Sequence, residues 1–313
     1  MLETPLSAGT ESALDTLLDT AHERLLDGAV YEGMEGLLVG LTALRRSVPL
    51  PRWRTLCETQ VRRHPVLAFV HQAPFTQRAF AKPRGYPGDA VTLDYIYGVE
   101  PLGPRPDVVR DLYGWEFQTP SCRSVRARRM LLAEHIDLSA ARVVRPRILS
   151  LACGHLREAR DAMLLLDRGA GAFFAVDQDV DSLAVVDAEL RVYGVEAVRG
   201  SVRGVLAGKL AYRDLDLAYA AGLYDYLADP IAVQLTARLF AMLRSGGKLL
   251  IPNFNPTLRD MGYLEAFMHW WLIYRGDEQM HDLLAAVPEA EVADARLFRD
   301  RHGNITVLEV TKR

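Results

Sequence analysis

The feature of this sequence that most constrains the fold is an apolar run that breaks at a small, glycine-containing turn. It covers residues 147–159 and has the sequence RILSLACGHLREA. This pattern predicts a buried strand that passes into a helix through a turn where the backbone can approach a ligand closely. A second apolar run, 172–176, ends on Asp177, which lies 23 residues after Gly154. A carboxylate about 20 residues after such a turn is placed to bind a ribose, so we expect a nucleoside cofactor at Gly154 and Asp177.

After Pro146 the sequence alternates between strand and helix patterns. The predicted strands are 147–151, 172–177, 196–200, 215–221, 247–252, 292–299 and 304–311. The last two are expected to form a hairpin around Gly303. Alternation of this kind, ended by a hairpin, predicts an α/β fold: a Rossmann-like, seven-stranded, mainly parallel sheet with a C-terminal antiparallel hairpin.

The N-terminal third has a different character. Leucines recur at helical spacing over residues 11–46. Residues 73–120 contain many Pro and Gly residues and are expected to be irregular, and a basic helix is predicted at 121–136. We therefore expect a helical N-terminal or lid domain at 1–120 and a cofactor-binding domain at 121–313.

Composition excludes several classes of function. The 313 residues include 37 basic and 40 acidic side chains, which gives a net charge of −3. The sequence has no block of basic residues, so we expect no nucleic-acid partner. Three widely spaced cysteines without a CxxC motif favour free thiols in a reducing compartment and no metal site. Residues 1–5 lack a secretion pattern, and no apolar run is long enough to cross a membrane. We therefore expect a cytoplasmic protein without membrane association, and its oligomeric state is left open.

The number of glycines in the first turn bears on the kind of cofactor. Dinucleotide sites usually have three glycines, whereas this turn has Gly154 alone. A cofactor without a pyrophosphate therefore fits better, and S-adenosylmethionine is such a cofactor. A seven-stranded sheet with a terminal hairpin is also usual in the class I methyltransferases that use it.

Two polar residues after strands have both a structural and a functional interpretation. Asp177 could cap a helix instead of binding a ribose, but Asp179 and Asp181 are also placed to cap, so we favour the ligand role for Asp177. Ser201 follows the third strand, where a side chain can contact the adenine. It is equally consistent with an ordinary turn residue.

Three consecutive polar-tipped residues, Tyr224, Asp225 and Tyr226, follow the fourth strand. They cannot all face a methyl donor, so at least one is expected to pack in the core with its hydroxyl hydrogen-bonded. Tyr224 and Asp225 are the candidate catalytic residues here. After the fifth strand, an aromatic-rich segment suits the wall of a substrate pocket, and we select Asn253, Trp270 and Tyr274.

These motifs together resemble one branch of the class I S-adenosylmethionine-dependent methyltransferases. The shared stretches are PRGYPGD (83–89), LSLACGHLREA (149–159), AVDQD (175–179), AGLYDYL (221–227), NFNP (253–256) and WLIYR (271–275). The branch includes enzymes that make 3-hydroxypalmitic acid methyl ester, a bacterial signal, and the likeness extends from about residue 75 to the C-terminus. The cofactor contacts expected from these stretches are Ala152, Gly154, Asp177, Gln178 and Gly222, and Ser201 is a further candidate because it follows the third strand.

The sequence departs from many class I methyltransferases at Ser150, where an acidic residue often helps to hold the ammonium group of the cofactor. That end of the cofactor must then be held elsewhere. We expect Tyr86 to seal the pocket near the reacting atoms and Asp89 to supply the missing carboxylate. The cofactor carboxylate is expected to bind an arginine of the pair Arg126 and Arg128, and we select Arg128.

The function expected from these features is methyl transfer from S-adenosylmethionine to a small-molecule carboxylate or hydroxyl oxygen, in specialised metabolism or signalling. An alternative follows from Ser150: a neutral cofactor amine could attack the cofactor's own chain and give azetidine-2-carboxylate and methylthioadenosine. A second alternative is a non-catalytic binding protein that uses the sheet as a scaffold.

Overall fold

A computed structural model describes residues 5–313 of the chain. Residues 1–4, which entered the expectation about secretion, lie outside the described residues. The chain divides into two compact units: a helical unit, Met1–Arg123 with Leu258–Trp271, and a sheet unit, Ser124–Thr257 with Leu272–Arg313. Within the described range, no helix combines the length and the apolar character that a membrane crossing requires.

The helical unit begins with seven α-helices. They are α1 (Pro5–Leu26), α2 (Val30–Ser47), α3 (Leu50–Leu56), α4 (Pro65–Val70), α5 (Pro74–Ala81), α6 (Ala90–Tyr97) and α7 (Asp107–Phe117), with a π-helical turn at Cys57–Val61. The expectation of an irregular segment at 73–120 was therefore wrong. Pro74 occupies the first turn of α5 and Gly98 ends α6 in the left-handed region, so Pro and Gly mark helix ends in this segment.

The sheet unit contains the predicted seven strands. They are β1 (Arg147–Leu151), β2 (Ala172–Asp177), β3 (Val195–Arg199), β4 (Leu215–Tyr219), β5 (Leu243–Phe254), β6 (Val292–Arg299) and β7 (Ile305–Lys312). Their order in the sheet is β3-β2-β1-β4-β5-β7-β6, with β7 antiparallel to both neighbours and the other pairs parallel. This confirms the predicted Rossmann-like sheet with a C-terminal antiparallel hairpin.

Seven further helices complete the described chain. They are α8 (Pro120–Arg142), α9 (Met163–Arg168), α10 (Val180–Leu190), α11 (Val202–Leu206), α12 (Asp229–Ala241), α13 (Met261–Phe267) and α14 (Asp277–Asp282). Apolar side chains of β4, β5 and β7 form one core with those of α12, and every residue of β4 is buried. Parallel strands buried on both faces appear in sequence as continuous apolar runs, which is why these strands were predictable.

The helical unit also includes α13, which follows β5 in the chain. Thr42 of α2 donates its hydroxyl to the carbonyl of Arg259 at 2.7 Å and accepts the amide of Gly262 at 3.2 Å. A Cβ at Gly262 would lie 2.5 Å from the carbonyl carbon of Leu41, so only glycine allows this close approach of α13 to α2. A division into two continuous segments at residue 120 does not describe this arrangement.

Candidate functional site

The candidate site of the sheet unit lies at the carboxyl ends of its parallel strands. Because β1, β2, β3, β4 and β5 are neighbours and run in one direction, the residues that follow them share one edge of the sheet. This edge is where open α/β sheets bind ligands. The predicted residues brought to it are Ala152, Gly154, Asp177, Gln178, Ser201, Gly222, Tyr224, Asp225 and Asn253.

The turn after β1 has an unusual backbone. Ala152, Gly154 and Leu156 all have positive φ, at 55°, 54° and 49°. Non-glycine residues rarely adopt this region and cost about 1–3 kcal/mol there, a kind of strain that concentrates at functional sites. The left-handed Leu156 also explains why the predicted helix is reduced to a short 3₁₀ turn, Arg157–Arg160.

Asp177 fixes this turn to the end of β2. Its Oδ2 accepts the amide of Gly154 at 2.8 Å and its Oδ1 accepts the amide of Asp179 at 2.9 Å. Asp179, by contrast, caps α10 by accepting the amide of Asp181, which confirms that Asp177 is not the helix cap. Each oxygen of a carboxylate has a further lone pair, so Asp177 retains the capacity to accept hydrogen bonds from ribose hydroxyls.

Ser201 serves the structural role that was one of its two interpretations. Its Oγ accepts the amide of Gly204 at 3.3 Å and so caps α11. Gln178 is exposed beside Asp177, and Ala152 and Ser201 are half-buried. These residues border the edge of the sheet at which Asp177 lies.

Arg128, from α8, places a buried cation beside the turn after β4. It is 4% exposed, and its Nε is buried without a hydrogen-bond partner in the described chain. A Cβ at Gly222 would lie 3.5 Å from both terminal nitrogens of the guanidinium. Burying a charge without a hydrogen-bonding partner is costly. The site is therefore suited to an anionic group, and a carboxylate matches the guanidinium geometry best.

Two buried carboxyl groups lie within the electrostatic reach of Arg128. Burial raises the pKa of Asp225 to about 6, against the lowering effect of Arg128, and its Oδ1 accepts the amide of Phe254 at 2.8 Å. Burial also raises the pKa of Glu158, and the charge of Arg128 again acts to lower it. The hydroxyl of Tyr219 donates to Glu158 at 2.9 Å. Glu158 was missed from the sequence, where its signal was only a position four residues after Gly154.

Tyr224 does not face the sheet edge as a catalytic residue would. Its side chain is fully buried in the core, and its hydroxyl lies 3.0 Å from that of Thr236 on α12. Burial raises its pKa well above the usual range, so it stays a neutral phenol. Tyr224 is thus the member of the three-residue run that packs in the core, and its predicted catalytic role is corrected.

Arg275, which no prediction assigned a role, links the loop after β4 to the end of β5. It is 0% exposed and donates to the carbonyls of Tyr224 at 2.7 Å and Leu227 at 2.5 Å. It also donates to Asn253 Oδ1 at 2.8 Å and forms an ion pair with Asp229. This network holds the 3₁₀ turn Tyr224–Tyr226, which carries Asp225.

Asn253 belongs to the same network and not to a pocket wall. Its amide donates to the carbonyls of Phe254 at 2.8 Å and Ile273 at 2.9 Å. The substrate-pocket role predicted for Asn253 is therefore corrected, because both ends of its side chain are bound within the protein. Trp270 is buried in the helical unit and Tyr274 is half-buried in the sheet unit.

Asp89 has partners within the helical unit. It is 0% exposed, caps α6 by accepting the amide of Thr92 at 2.8 Å, and binds Arg78 through both oxygens at 2.7 and 3.1 Å. These contacts are those of a capping ion pair, so we leave Asp89 out of the cofactor site proposed below. Tyr86, in the same loop, is half-buried.

Comparison with protein-family models and with curated proteins gave no match. Among solved structures, a possible exported protein from Bordetella parapertussis is 17% identical, with 99% of each chain covered and a TM-score of 0.53. A likeness at this identity shows the fold alone.

Two further solved structures have TM-scores below 0.5. One is a TehB-like SAM-dependent methyltransferase from Corynebacterium glutamicum, with 16% identity, 62% of this chain and 98% of that chain covered, and a TM-score of 0.40. The other is 1,6-didemethyltoxoflavin-N1-methyltransferase from Burkholderia thailandensis with bound S-adenosylhomocysteine. It has 17% identity, 60% of this chain and 78% of that chain covered, and a TM-score of 0.42.

Proposed function

We propose that this chain is an S-adenosylmethionine-dependent methyltransferase that acts on a small-molecule carboxylate or hydroxyl oxygen, in specialised metabolism or signalling. The observation that carries the proposal is the buried guanidinium of Arg128, whose Nε lacks a partner in the described chain, beside Gly222. Guanidinium groups bind carboxylates through two parallel hydrogen bonds, and S-adenosylmethionine has a carboxylate at its methionine end. The sheet order and the resemblance of the motifs support the same cofactor.

The residues of the sheet edge fit the parts of this cofactor. Asp177 would accept hydrogen bonds from the ribose hydroxyls, and Arg128 would bind the carboxylate. Asp225, a buried carboxyl beside the cation, would face the ammonium group, with Glu158 as a second nearby acid. When bound, the cofactor supplies an electrophilic methyl group on a sulfonium.

The chain's own residues would contribute positioning and exclusion of water. Arg275 and Asn253 hold the Asp225 turn in one place. An ionised carboxylate acceptor needs no general base, so no catalytic dyad is required for that class of acceptor. Tyr86, Trp270 and Tyr274 stay predicted contacts to the cofactor or the acceptor. A small-molecule partner, the absence of a nucleic-acid partner and a cytoplasmic location stay predictions as well.

The role of Arg128 is tested by comparing two ligands by isothermal titration calorimetry. Arg128→Met should weaken S-adenosylmethionine binding about 10- to 100-fold, since charged hydrogen bonds to the carboxylate are lost. Binding of methylthioadenosine, which lacks the amino-acid group, should not change. Arg123→Met is the matched control, because Arg123 is exposed on the same helix and its guanidinium donates to the side chain of Gln118. Unchanged binding of S-adenosylmethionine to the Arg128 variant would contradict the proposal.

The reaction itself is tested by incubating the protein with S-adenosylmethionine, with and without carboxylic and hydroxy acids as acceptors. Methyl transfer predicts S-adenosylhomocysteine only when an acceptor is present. Methylthioadenosine formed above the spontaneous rate without an acceptor would instead indicate the cyclisation to azetidine-2-carboxylate. If the protein neither binds S-adenosylmethionine nor turns it over, the result would indicate a non-catalytic binding protein.

A further inference from the structure

A group of basic side chains surrounds aromatic rings within the helical unit. We call it the basic cluster; its members are Arg54, Arg62, Lys82 and His269, with the rings of Phe80 and Trp271. Nζ of Lys82 lies 3.0 Å from Nδ1 of His269. Since an ammonium group can only donate, Nδ1 of His269 acts as the acceptor and the imidazole is neutral in this contact.

The rings hold the cations in place. The guanidinium of Arg54 lies 4.8 Å from the centre of the Trp271 ring, and that of Arg62 lies 5.5 Å from the centre of the Phe80 ring. The ring of His269 contacts Trp271 edge-on at 5.8 Å. Arg54 lies on α3, Arg62 follows the π-helical turn, and Lys82 and His269 follow α5 and α13. The two arginines are exposed, whereas Lys82 and His269 are half-buried.

The positive charge of the cluster is not compensated by ion pairs. Within residues 5–313, no carboxylate lies within 4.0 Å of the charged nitrogens of Arg54, Arg62 or Lys82. Other arginines of the helical unit do have such partners: Arg45 with Glu265, Arg52 with Glu11 and Arg78 with Asp89. The cluster therefore has cations that no described carboxylate pairs, and these cations are available to a ligand.

The pKa shifts of Lys82 and His269 reflect the same excess of positive charge. Burial lowers the pKa of Lys82, and the charge of Arg62 lowers it further. Burial likewise lowers the pKa of His269. The charges of Lys82, Arg62 and Arg54 lower it further, whereas the charge of Glu58 raises it. An anion bound among these groups would relieve the repulsion between them.

The backbone that carries the cluster is locally strained. Lys82 and His269 both have positive φ, at 50° and 49°, which non-glycine residues seldom adopt. The π-helical turn Cys57–Val61 lies between Arg54 and Arg62, and such turns occur frequently at functional sites. The basic side chains of the cluster thus project from irregular backbone.

We propose that the basic cluster binds an oxyanion, a carboxylate or a phosphate group, of a small ligand. Lys82 and the two arginines would donate to the anion, and His269 would gain a proton when the anion is bound. The site lies wholly within the helical unit and does not depend on the methyltransferase function proposed above.

The test uses the full-length protein with inorganic phosphate and acetate as separate probes, at constant ionic strength in chloride. Calorimetry should show saturable binding of at least one of them, and the stronger one identifies the preferred anion. Lys82→Met should weaken that binding about tenfold or more, since a charged hydrogen bond is lost. Lys209→Met is the matched control, because Lys209 is exposed in the sheet unit. Circular dichroism should show that both variants fold.

A second readout does not depend on the variants. In ¹⁵N-labelled wild-type protein, the imidazole resonances of His269 should titrate at a higher pH when the preferred anion is present than in chloride alone. No saturable binding of either anion, or equal effects of Lys82→Met and Lys209→Met, would overturn the proposal. An unchanged titration of His269 would do so as well.

Discussion

The carboxylate of Asp177 accepts the backbone amide of Gly154 across 23 residues of sequence, at 2.8 Å. The two residues were predicted to act on one cofactor because of their spacing, and the structure joins them directly. The same carboxylate accepts the amide of Asp179. Asp177 therefore fixes two loops at the edge of the sheet, and its effect on a ligand would include this positioning.

Asp177→Asn should weaken S-adenosylmethionine binding about 10- to 100-fold by calorimetry. The side-chain NH₂ of the asparagine would place a donor against the backbone N–H of Gly154 or of Asp179. The ribose would also lose a charged acceptor. Asp179→Asn is the control, since asparagine caps a helix as well as aspartate does. If both variants bind the cofactor as the wild type does, Asp177 has no role in the site.

Cofactor affinity should fall as the pH is lowered from 7 to 5. The pKa of Asp225 is raised by burial to about 6, so this carboxylate is ionised at pH 7 and protonated at pH 5, where it no longer attracts the ammonium group. Calorimetry across this range should show the loss for wild type. In Asp225→Asn the affinity should be lower at pH 7 and nearly independent of pH. A parallel decline in both proteins would exclude Asp225 as the titrating group.

Arg275→Met should destabilise the protein by about 3 kcal/mol or more in urea unfolding. The substitution leaves the carbonyls of Tyr224 and Leu227 and the side chain of Asn253 without their buried donor. Arg299→Met, which removes an exposed ion pair with Asp277, should cost less than about 1 kcal/mol. Equal stabilities of the two variants would show that the Arg275 network is not required for the fold.

Glu116→Gln should remove a pH dependence of stability. Burial raises the pKa of Glu116 from 4.5 to about 8, and Thr76 and Tyr263 donate to its Oε1. The folded state therefore retains a proton that the unfolded state loses. The free energy of unfolding of the wild type should fall between pH 4.5 and 8 and level off above that range. Urea unfolding of the variant should show a flatter profile, and an unchanged slope would contradict the assignment.

The sheet could be predicted because most of its strands are buried and apolar. The bounds of β1, β2 and β6 match the prediction, whereas those of β5 do not. β5 covers Leu243–Phe254, whereas the predicted strand covered only 247–252. Pairing with β4 ends at Leu250, so the missing amide of Pro252 costs no hydrogen bond on that side, while β7 continues alongside. Sequence spacing alone does not reveal which edge of a strand has lost its neighbour.

For the candidate residues, the sequence predicted a place at the edge of the sheet better than it predicted their contacts. Asp177 and Asp225 were selected because they follow strands, a property that sequence shows directly. Tyr224 and Asn253 share that property, yet the structure turns one into the core and bonds the other to Arg275. The direction of a side chain in a loop depends on contacts with residues distant in sequence, so these roles required the structure.

The placement of α13 has a consequence for synthesis on the ribosome. The helical unit begins the chain but includes Leu258–Trp271, so its last helix emerges only after most of the sheet unit. At about 5–20 residues per second this delay is on the order of ten seconds. During that time the surface of α2 around Leu41 and Thr42 lacks the helix that covers it in the finished protein. A nascent chain that stops before residue 258 therefore exposes this surface to chaperones and proteases, and an N-terminal fragment expressed alone does the same.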